Sequence, residues 1–209
     1  VAAIPEALSS IVTIVQAMGT QKMAKENAII KQLKAVESLG CVSVICSDKT
    51  GTLTQNKMTV QQVYVDGKVM NPEEIDLSSQ THRYLLYDAV LTNDSSIIDG
   101  KGIGDPTEYA LLEMFRTVSV NENSVLGQGG VHEDIIRQAM HRREEVPFDS
   151  DRKLMTTVND TDGKITVIVK GAFDVMAGKC IKGDLTAAAK VNEEMSQNAL
   201  RVLAIGYKE

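Results

Sequence analysis

Cysteine and histidine are scarce in this sequence, and positive charge is not in excess. The 209 residues include three cysteines, an odd number that favours reduced thiols in a cytosolic setting over a disulfide framework. The three histidines are scattered along the chain, so no zinc site is predicted. Acidic residues outnumber basic ones by 28 to 22, and the resulting net charge of −6 argues against a nucleic-acid-binding surface.

Low-complexity segments and a recognisable signal peptide are also missing. With 43% hydrophobic residues, the chain has enough apolar side chains to bury the core of one large domain. Because the sequence begins at Val1 without a leader, we expect it to be a segment of a longer protein.

The most informative stretch is residues 41–54, CVSVICSDKTGTLT. Its first half is apolar and β-branched, which predicts a strand buried on both faces of a parallel sheet with Cys41 and Cys46 as core thiols. Asp48 follows this strand at the carboxyl end, where open α/β sheets bind ligands. A carboxylate there can act as a nucleophile toward phosphorus, with Lys49 and the loop amides offsetting negative charge. The alternative is that Asp48 only caps a turn.

Residues 48–54, DKTGTLT, resemble the phosphorylation motif of the P-type cation-pumping ATPases. The resemblance implies that Asp48 is the phosphorylated nucleophile, assisted by Lys49 and Thr50, and that Mg²⁺ is bound by Asp48 and the Thr50 carbonyl. Similar hydrolases of the haloacid dehalogenase (HAD) class carry a second Asp two positions after the nucleophile. Thr50 occupies that position here and has no group to activate water, which favours a pump over a phosphatase.

Residues 1–19 are almost entirely apolar and are close to the lower length limit for a membrane span, although an ordinary buried helix fits equally well. They resemble the ion-binding membrane helix of calcium-pumping P-type ATPases. The resemblance implies that a transported cation, expected to be Ca²⁺, is bound by four residues: Val1, Ala2 and Ile4 through carbonyls and Glu6 through its carboxylate. The sequence departs from that pattern directly after Glu6, so another cation stays open.

The remainder alternates between strand and helix patterns. Asp66-Gly67 predicts a hairpin turn, and Asp105-Pro106 predicts the start of a helix, with a capping acid before a proline. The other predicted elements are a helix over 78–93, a loop over 95–104, a connector over 127–130, a helix over 131–141, a solvated charge run over 142–145, strands over 154–158 and 164–169 joined by a five-residue loop, a helix over 187–200 and a buried strand over 201–206.

Several short motifs in this region suggest nucleotide binding. Phe148 lies close to Arg152 and Lys153, and such a group could stack a base and hold phosphates, although an isolated Phe is commonly a core residue. Gly171 has no Cβ and would let a ligand approach the backbone. The segments GDPTEYALL, PFDSDRK, KGA and LRVLA resemble nucleotide-domain motifs of the P-type ATPases. The resemblance implies that ATP is bound by Glu108, Phe148, Lys153, Lys170, Gly171 and Arg201.

The sequence therefore predicts an α+β fold (α/β overall) in three parts. These are part of a transmembrane helix in 1–19, a linker with a partial HAD-like phosphorylation-domain segment in 20–56, and a nucleotide-binding domain with an antiparallel sheet flanked by helices in 57–209. The resemblance implies a cytoplasmic domain of an integral membrane pump, with ATP and Mg²⁺ as cofactors and the pump's other domains, the membrane and a cation as partners. The alternatives are a pump for another cation and a regulatory nucleotide-binding module without phosphoryl transfer. Later phosphorylation-domain motifs do not occur in the chain, so we expect nucleotide binding without turnover.

Overall fold

The computed structural model describes residues 7–123, 132–161 and 163–209. The chain divides between Gln55 and Asn56 into two compact units, an N-terminal and a C-terminal one. The predicted connector at 127–130 and the predicted ion-binding residues lie outside the described residues, the latter being Val1, Ala2, Ile4 and Glu6.

The N-terminal unit contains α1 (Ala7–Lys25), α2 (Ala35–Leu39) and an irregular helical turn at Lys49–Leu53. No residue of α1 is buried, and apolar side chains such as Ile14 and Val15 are more than half exposed. Over the described ranges, no helix combines the length and the apolar character that crossing a membrane requires.

Residues 41–45, predicted to be a buried strand, form no strand in this structure. Val44 is 75% and Ile45 86% exposed, and Cys41 and Cys46 are exposed as well. A strand of a parallel sheet obtains its hydrogen bonds and its cover from neighbouring elements, and no described strand pairs with this segment. The predictions of a buried strand and of core thiols are therefore wrong for this chain.

The C-terminal unit is built on a four-stranded antiparallel sheet with strand order β5-β6-β7-β8. Its strands are β5 (Arg142–Asp149), β6 (Leu154–Thr161), β7 (Lys164–Gly171) and β8 (Ala204–Lys208). Two hairpins accompany the sheet: β1 (Val63–Val65) with β2 (Lys68–Met70), and β3 (Ser96–Ile98) with β4 (Lys101–Ile103). The helices are α3 (Gln80–Leu91), α4 (Pro106–Asn123), α5 (Glu133–Ala139), α6 (Phe173–Ala177) and α7 (Leu185–Gln197), with a 3₁₀ turn at Pro72–Glu74. This antiparallel sheet with flanking helices confirms the predicted α+β class.

The core lies between the sheet and helix α3 and continues between α3 and α4. Leu86 and Val90 of α3 are spaced by one helical turn and are fully buried, together with Leu112 and Phe115 of α4. Helix α3 packs against β7 and β8, where Ile168 is completely inaccessible. The apolar stripe of α3 therefore fixes this helix across one face of the sheet.

Aspartate–glycine pairs determine the hairpins. Asp66 and Gly67 have φ angles of 51° and 75°, and Asp99 and Gly100 have 50° and 74°, as two-residue hairpin turns require. The first turn confirms its prediction. The second shows that the predicted loop over 95–104 is wrong, because this segment pairs as β3 and β4.

The remaining elements follow the sequence patterns with shifted boundaries. Asp105 accepts hydrogen bonds from the backbone N–H groups of Thr107 (2.8 Å) and Glu108 (3.4 Å), which confirms the predicted start of α4. The five-residue loop predicted after residue 158 is wrong, since β6 continues to Thr161. The charge run over 142–145 is mostly exposed but forms the first half of β5. The last strand begins only at Ala204 and is half-buried rather than buried.

Candidate nucleotide-binding site and phosphorylation segment

Most of the predicted nucleotide-binding residues lie at one end of the large sheet. Asp149, Leu154, Gly171 and Ala204 are register partners across the four strands. Neighbouring strands are about 4.8 Å apart, so this row spans about 15 Å. Five predicted residues lie in this row or within three residues of it: Phe148, Lys153, Lys170, Gly171 and Arg201.

Lys170 and Glu108 form the best-buried ion pair of this end. Lys170 is only 5% exposed, and its Nζ donates to Glu108 Oε1 at 2.8 Å and to the carbonyl oxygen of Thr92. Burial lowers the pKa of the Lys170 ammonium, whereas the Glu108 carboxylate acts in the opposite direction. The structure thus brings together two of the predicted residues, which lie 62 positions apart in the sequence.

Residues 92–95, directly after α3, hold Glu108 in place. The backbone N–H of Asp94 donates to Glu108 Oε2 at 3.0 Å, and Asn93 Nδ2 donates to the Glu108 carbonyl at 2.8 Å. Sequence reasoning did not single out these residues. The sequence feature that could have indicated them is the polar run TNDSS directly after the apolar stretch of α3. Polar side chains in such a place need hydrogen-bond partners when they are buried.

Gly171 and Lys153 are in close backbone contact. A Cβ on Gly171 would lie 2.2 Å from the Lys153 carbonyl oxygen, which also accepts a hydrogen bond from Ala172 N at 3.2 Å. Lys153 itself has a φ of 56°, in the turn between β5 and β6, and its Nζ lies 4.0 Å from Asp174. Only glycine fits position 171 without displacing this turn.

Phe148 and Arg201 complete the row from its two sides. Phe148 is 60% exposed on β5, so its aromatic ring is accessible. Arg201 Nη1 donates to Thr107 Oγ1 at 3.0 Å, next to Glu108 at the start of α4. Arg201 is therefore hydrogen-bonded to the helix that carries Glu108. Among the described contacts, it forms no bond to Lys170 or Glu108.

Asp48 lies in the N-terminal unit, in a loop that folds back on itself. Its Oδ1 accepts the backbone N–H of Lys49 at 2.7 Å, and the Thr54 N–H donates to the Lys49 carbonyl at 3.1 Å. Gly51, with a φ of 74°, permits this turn. Asp48, Lys49 and Thr50 are all exposed residues.

A family model described as the P-type ATPase cytoplasmic domain N matches residues 81–209. The chain belongs to the P-type ATPases. The matched range contains all the residues of the sheet end described above, and it begins one residue into α3. The predicted family resemblance is therefore confirmed, and the matched part is a cytoplasmic domain in this family.

Several relatives of this P-type ATPase chain carry names that refer to calcium transport. It is 49% identical to a calcium-transporting ATPase of Listeria monocytogenes and 46% identical to one of Lactococcus lactis, in each case over its whole length and 24% of the relative. It is also 39% identical to a calcium-transporting ATPase of Saccharomyces cerevisiae. That match covers 83% of this chain and 19% of the relative. The chain spans about a quarter of the length of the curated relatives it matches.

Proposed function

We propose that this chain is the ATP-binding and phosphoryl-accepting part of a P-type ATPase that couples ATP hydrolysis to cation transport, with Ca²⁺ as the cargo. The observation that carries the proposal is that the buried Lys170–Glu108 pair and the accessible Phe148 ring lie at the same end of the sheet. A flat aromatic surface next to polar groups suits a purine base, because the ring stacks and the polar groups bond to the base edges.

In this proposal each residue of the sheet end has one task. Phe148 stacks on the adenine, and Glu108 with Lys170 supplies the polar contacts of the pocket. Gly171 lets the nucleotide approach the strand backbone. Lys153, whose side chain is 57% exposed, and Arg201, which is held near Glu108 by its bond to Thr107, supply cationic groups to the phosphates.

The proposed chemistry at Asp48 is transfer of the γ-phosphoryl group. A carboxylate oxygen of Asp48 attacks the γ-phosphorus, and the bond from that phosphorus to the bridging oxygen breaks. ADP leaves with the electron pair, and an aspartyl phosphate remains on the enzyme. Lys49 stabilises negative charge on the transferred group. Since Thr50 provides no base, water attacks this intermediate only when another part of the pump supplies one.

Magnesium is compatible with the groups that the phosphorylation loop offers. Asp48 contributes an exposed carboxylate and Thr50 a carbonyl, and such hard oxygen donors suit Mg²⁺, which retains waters and needs few protein ligands. When bound, Mg²⁺ neutralises charge on the phosphates.

The cargo, the membrane location and the remaining domains belong to the whole pump. The relatives are named for calcium transport, and we propose the same cation here. Val1, Ala2, Ile4 and Glu6 are the proposed ligands from this chain. Uptake of ⁴⁵Ca²⁺ by vesicles containing the full-length pump, lost in Glu6→Gln, tests this part, and uptake of a different cation would replace calcium in the proposal.

Calorimetric titration of the 209-residue chain with ATP tests the pocket. We expect Phe148→Ala and Lys170→Ala to lower the affinity at least tenfold. Ile181→Ala is the control, because Ile181 is apolar and 92% exposed outside the sheet end, and its affinity should stay within twofold. Equal affinity in all four proteins would refute the pocket assignment.

Labelling of the full-length pump with [γ-³²P]ATP tests the phosphoryl transfer. An acid-stable, hydroxylamine-labile label that disappears in Asp48→Asn is the expected result. Nucleotide binding without any such label would instead support the regulatory nucleotide-binding module.

A further inference from the structure

A cavity lies on the same sheet face, at the end opposite the proposed nucleotide site. It has a volume of about 250 Å³, and its walls include Tyr84 and Asp88 of α3, Thr166 of β7 and Tyr207 of β8. Residues 166, 168 and 170 of β7 share one face, because side chains alternate along a strand. Thr166 is four residues from Lys170, which corresponds to about 14 Å along the strand. The cavity is therefore separate from the proposed nucleotide site.

Asp88 is a buried acid that lines this cavity. It is 6% exposed, and its carboxylate forms no hydrogen bond or ion pair with any described residue. Burial raises the pKa of Asp88 to about 7. An ionised carboxylate in such a place is costly unless a partner of opposite charge reaches it.

The charges at the rim of the cavity compensate each other. The Nζ of Lys164 pairs with a Glu209 carboxylate oxygen at 2.5 Å, and both side chains are largely exposed. Since the Lys164 and Glu209 charges neutralise each other, no charge at the rim neutralises an ionised Asp88. The site therefore favours a cationic ligand.

The walls of the cavity are aromatic. The rings of Tyr84 and Tyr207 meet edge to face, with centroids 5.2 Å apart and an interplanar angle of 67°, and Tyr87 also lines the space. Aromatic faces attract organic cations and pack against their apolar parts. A bare metal ion fits poorly, because the described residues include no group of three His, Cys, Asp or Glu side chains able to hold one.

We infer that this cavity binds a small organic cation, a protonated amine on a short apolar stem, with Asp88 as its counter-ion. The ammonium group bonds to the Asp88 carboxylate, and the stem packs against Tyr84 and Tyr207. The volume accommodates a molecule of roughly ten heavy atoms, below the usual range of drug-sized pockets. The inference is independent of ATP binding.

The probe is benzylammonium, titrated into the 209-residue chain at pH 8 and followed by amide NMR shifts. Benzyl alcohol is the neutral isostere. We expect shifts centred on Thr166, Tyr207 and α3, and an affinity at least tenfold higher for benzylammonium than for benzyl alcohol. Equal affinity for the two probes would overturn the inference.

Two variants and one control identify the counter-ion. Asp88→Asn should lower the benzylammonium affinity at least tenfold while leaving benzyl alcohol unaffected, and Tyr207→Leu should lower it severalfold. Glu144→Gln removes an exposed acid that does not line the cavity and should change nothing. Wild-type affinity in Asp88→Asn would overturn the inference. So would binding that appears only in Lys164→Met, because Lys164 would then be the partner of Asp88 in solution.

Discussion

Two charged side chains are buried against one face of the same sheet, and their surroundings differ. Lys170, at the end of β7, is enclosed by the Glu108 carboxylate and the Thr92 carbonyl. Asp88, toward the other end, adjoins open space, and its carboxylate has no hydrogen-bond partner among the described residues. Helix α3 contributes to both surroundings. Thr92 directly follows its last residue, and Asp88 lies one helical turn earlier.

These two surroundings correspond to two ways in which a folded domain accommodates a buried ionisable side chain. A paired charge recovers part of its lost hydration through attraction and hydrogen bonds, so it can stay ionised. An unpaired carboxylate recovers almost nothing and instead binds a proton, which is why the pKa of Asp88 rises toward neutrality. The paired end is preorganised, and the unpaired end is available for a cationic ligand.

The largest expected effect is the loss of the ion pair. Glu108→Gln leaves the Lys170 ammonium buried without its counter-charge and should lower the free energy of unfolding by about 3 kcal/mol in urea denaturation followed by circular dichroism. The double variant Glu108→Gln, Lys170→Met should regain more than half of that loss. A loss below about 1 kcal/mol for the single variant would show that the pair contributes little.

The pH dependence of stability should distinguish the unpaired acid. Because the pKa of Asp88 is raised from 3.8 to about 7 in the folded state, the folded chain keeps a proton that the unfolded chain has lost. The free energy of unfolding therefore falls as pH rises from about 4 to about 7. Relative to Asp88→Asn, the wild type should lose about 2.5 kcal/mol between pH 5 and pH 8.

The control and the other titratable groups make this test specific. Glu144→Gln, which changes an exposed acid, should follow the wild-type pH profile. The described cavity lining contains no histidine, the side chain that ordinarily titrates between pH 5 and pH 8. The titratable groups that line the cavity with Asp88 are Tyr84, Tyr87, Lys164, Tyr207 and Glu209. Parallel profiles for wild type and Asp88→Asn would contradict the assignment.

Close packing at the nucleotide-binding end of the sheet predicts that alanine is tolerated differently at two glycine positions. In Gly171→Ala the new methyl group would overlap the Lys153 carbonyl, so we expect a loss of about 2 kcal/mol in unfolding free energy. Gly178→Ala is the matched control, because a Cβ there meets nothing within 4 Å, and its effect should stay within about 0.5 kcal/mol. Similar effects for both variants would mean that the turn at Lys153 moves freely.

Arg201 should contribute least to stability at this end. Its bond to Thr107 is exposed, so Arg201→Ala should cost about 0.5 kcal/mol in unfolding free energy. The same variant should lower ATP affinity about tenfold in calorimetry. Arg143→Ala, which removes a different exposed arginine paired with Asp160, should leave ATP affinity unchanged. A large loss of unfolding free energy in Arg201→Ala would instead show that Arg201 mainly stabilises the fold.

Local sequence patterns predicted much of the C-terminal unit. Asp66-Gly67 and Asp105-Pro106 each carry their conformational preference within a few residues, and both form as predicted. Asp99-Gly100 carries the same turn signal, but three glycines within 95–104 favoured a loop over paired strands. Residues 41–45 failed for the opposite reason, because an apolar strand pattern forms a strand only where neighbouring strands pair with it.

The family could be predicted from DKTGTLT and the ordered nucleotide motifs, and the α+β class from the alternating strand and helix patterns. The burial of Lys170 against Glu108 and Thr92 depends on the folded chain, because these residues are 62 and 78 positions away from Lys170 in the sequence. The position of the Asp88 carboxylate, which lines a cavity and has no hydrogen-bond partner among the described residues, likewise depends on the fold. The physical reason is that turns and caps depend on neighbours along the chain, whereas the cost of burying a charge depends on which distant groups the fold brings within hydrogen-bonding distance.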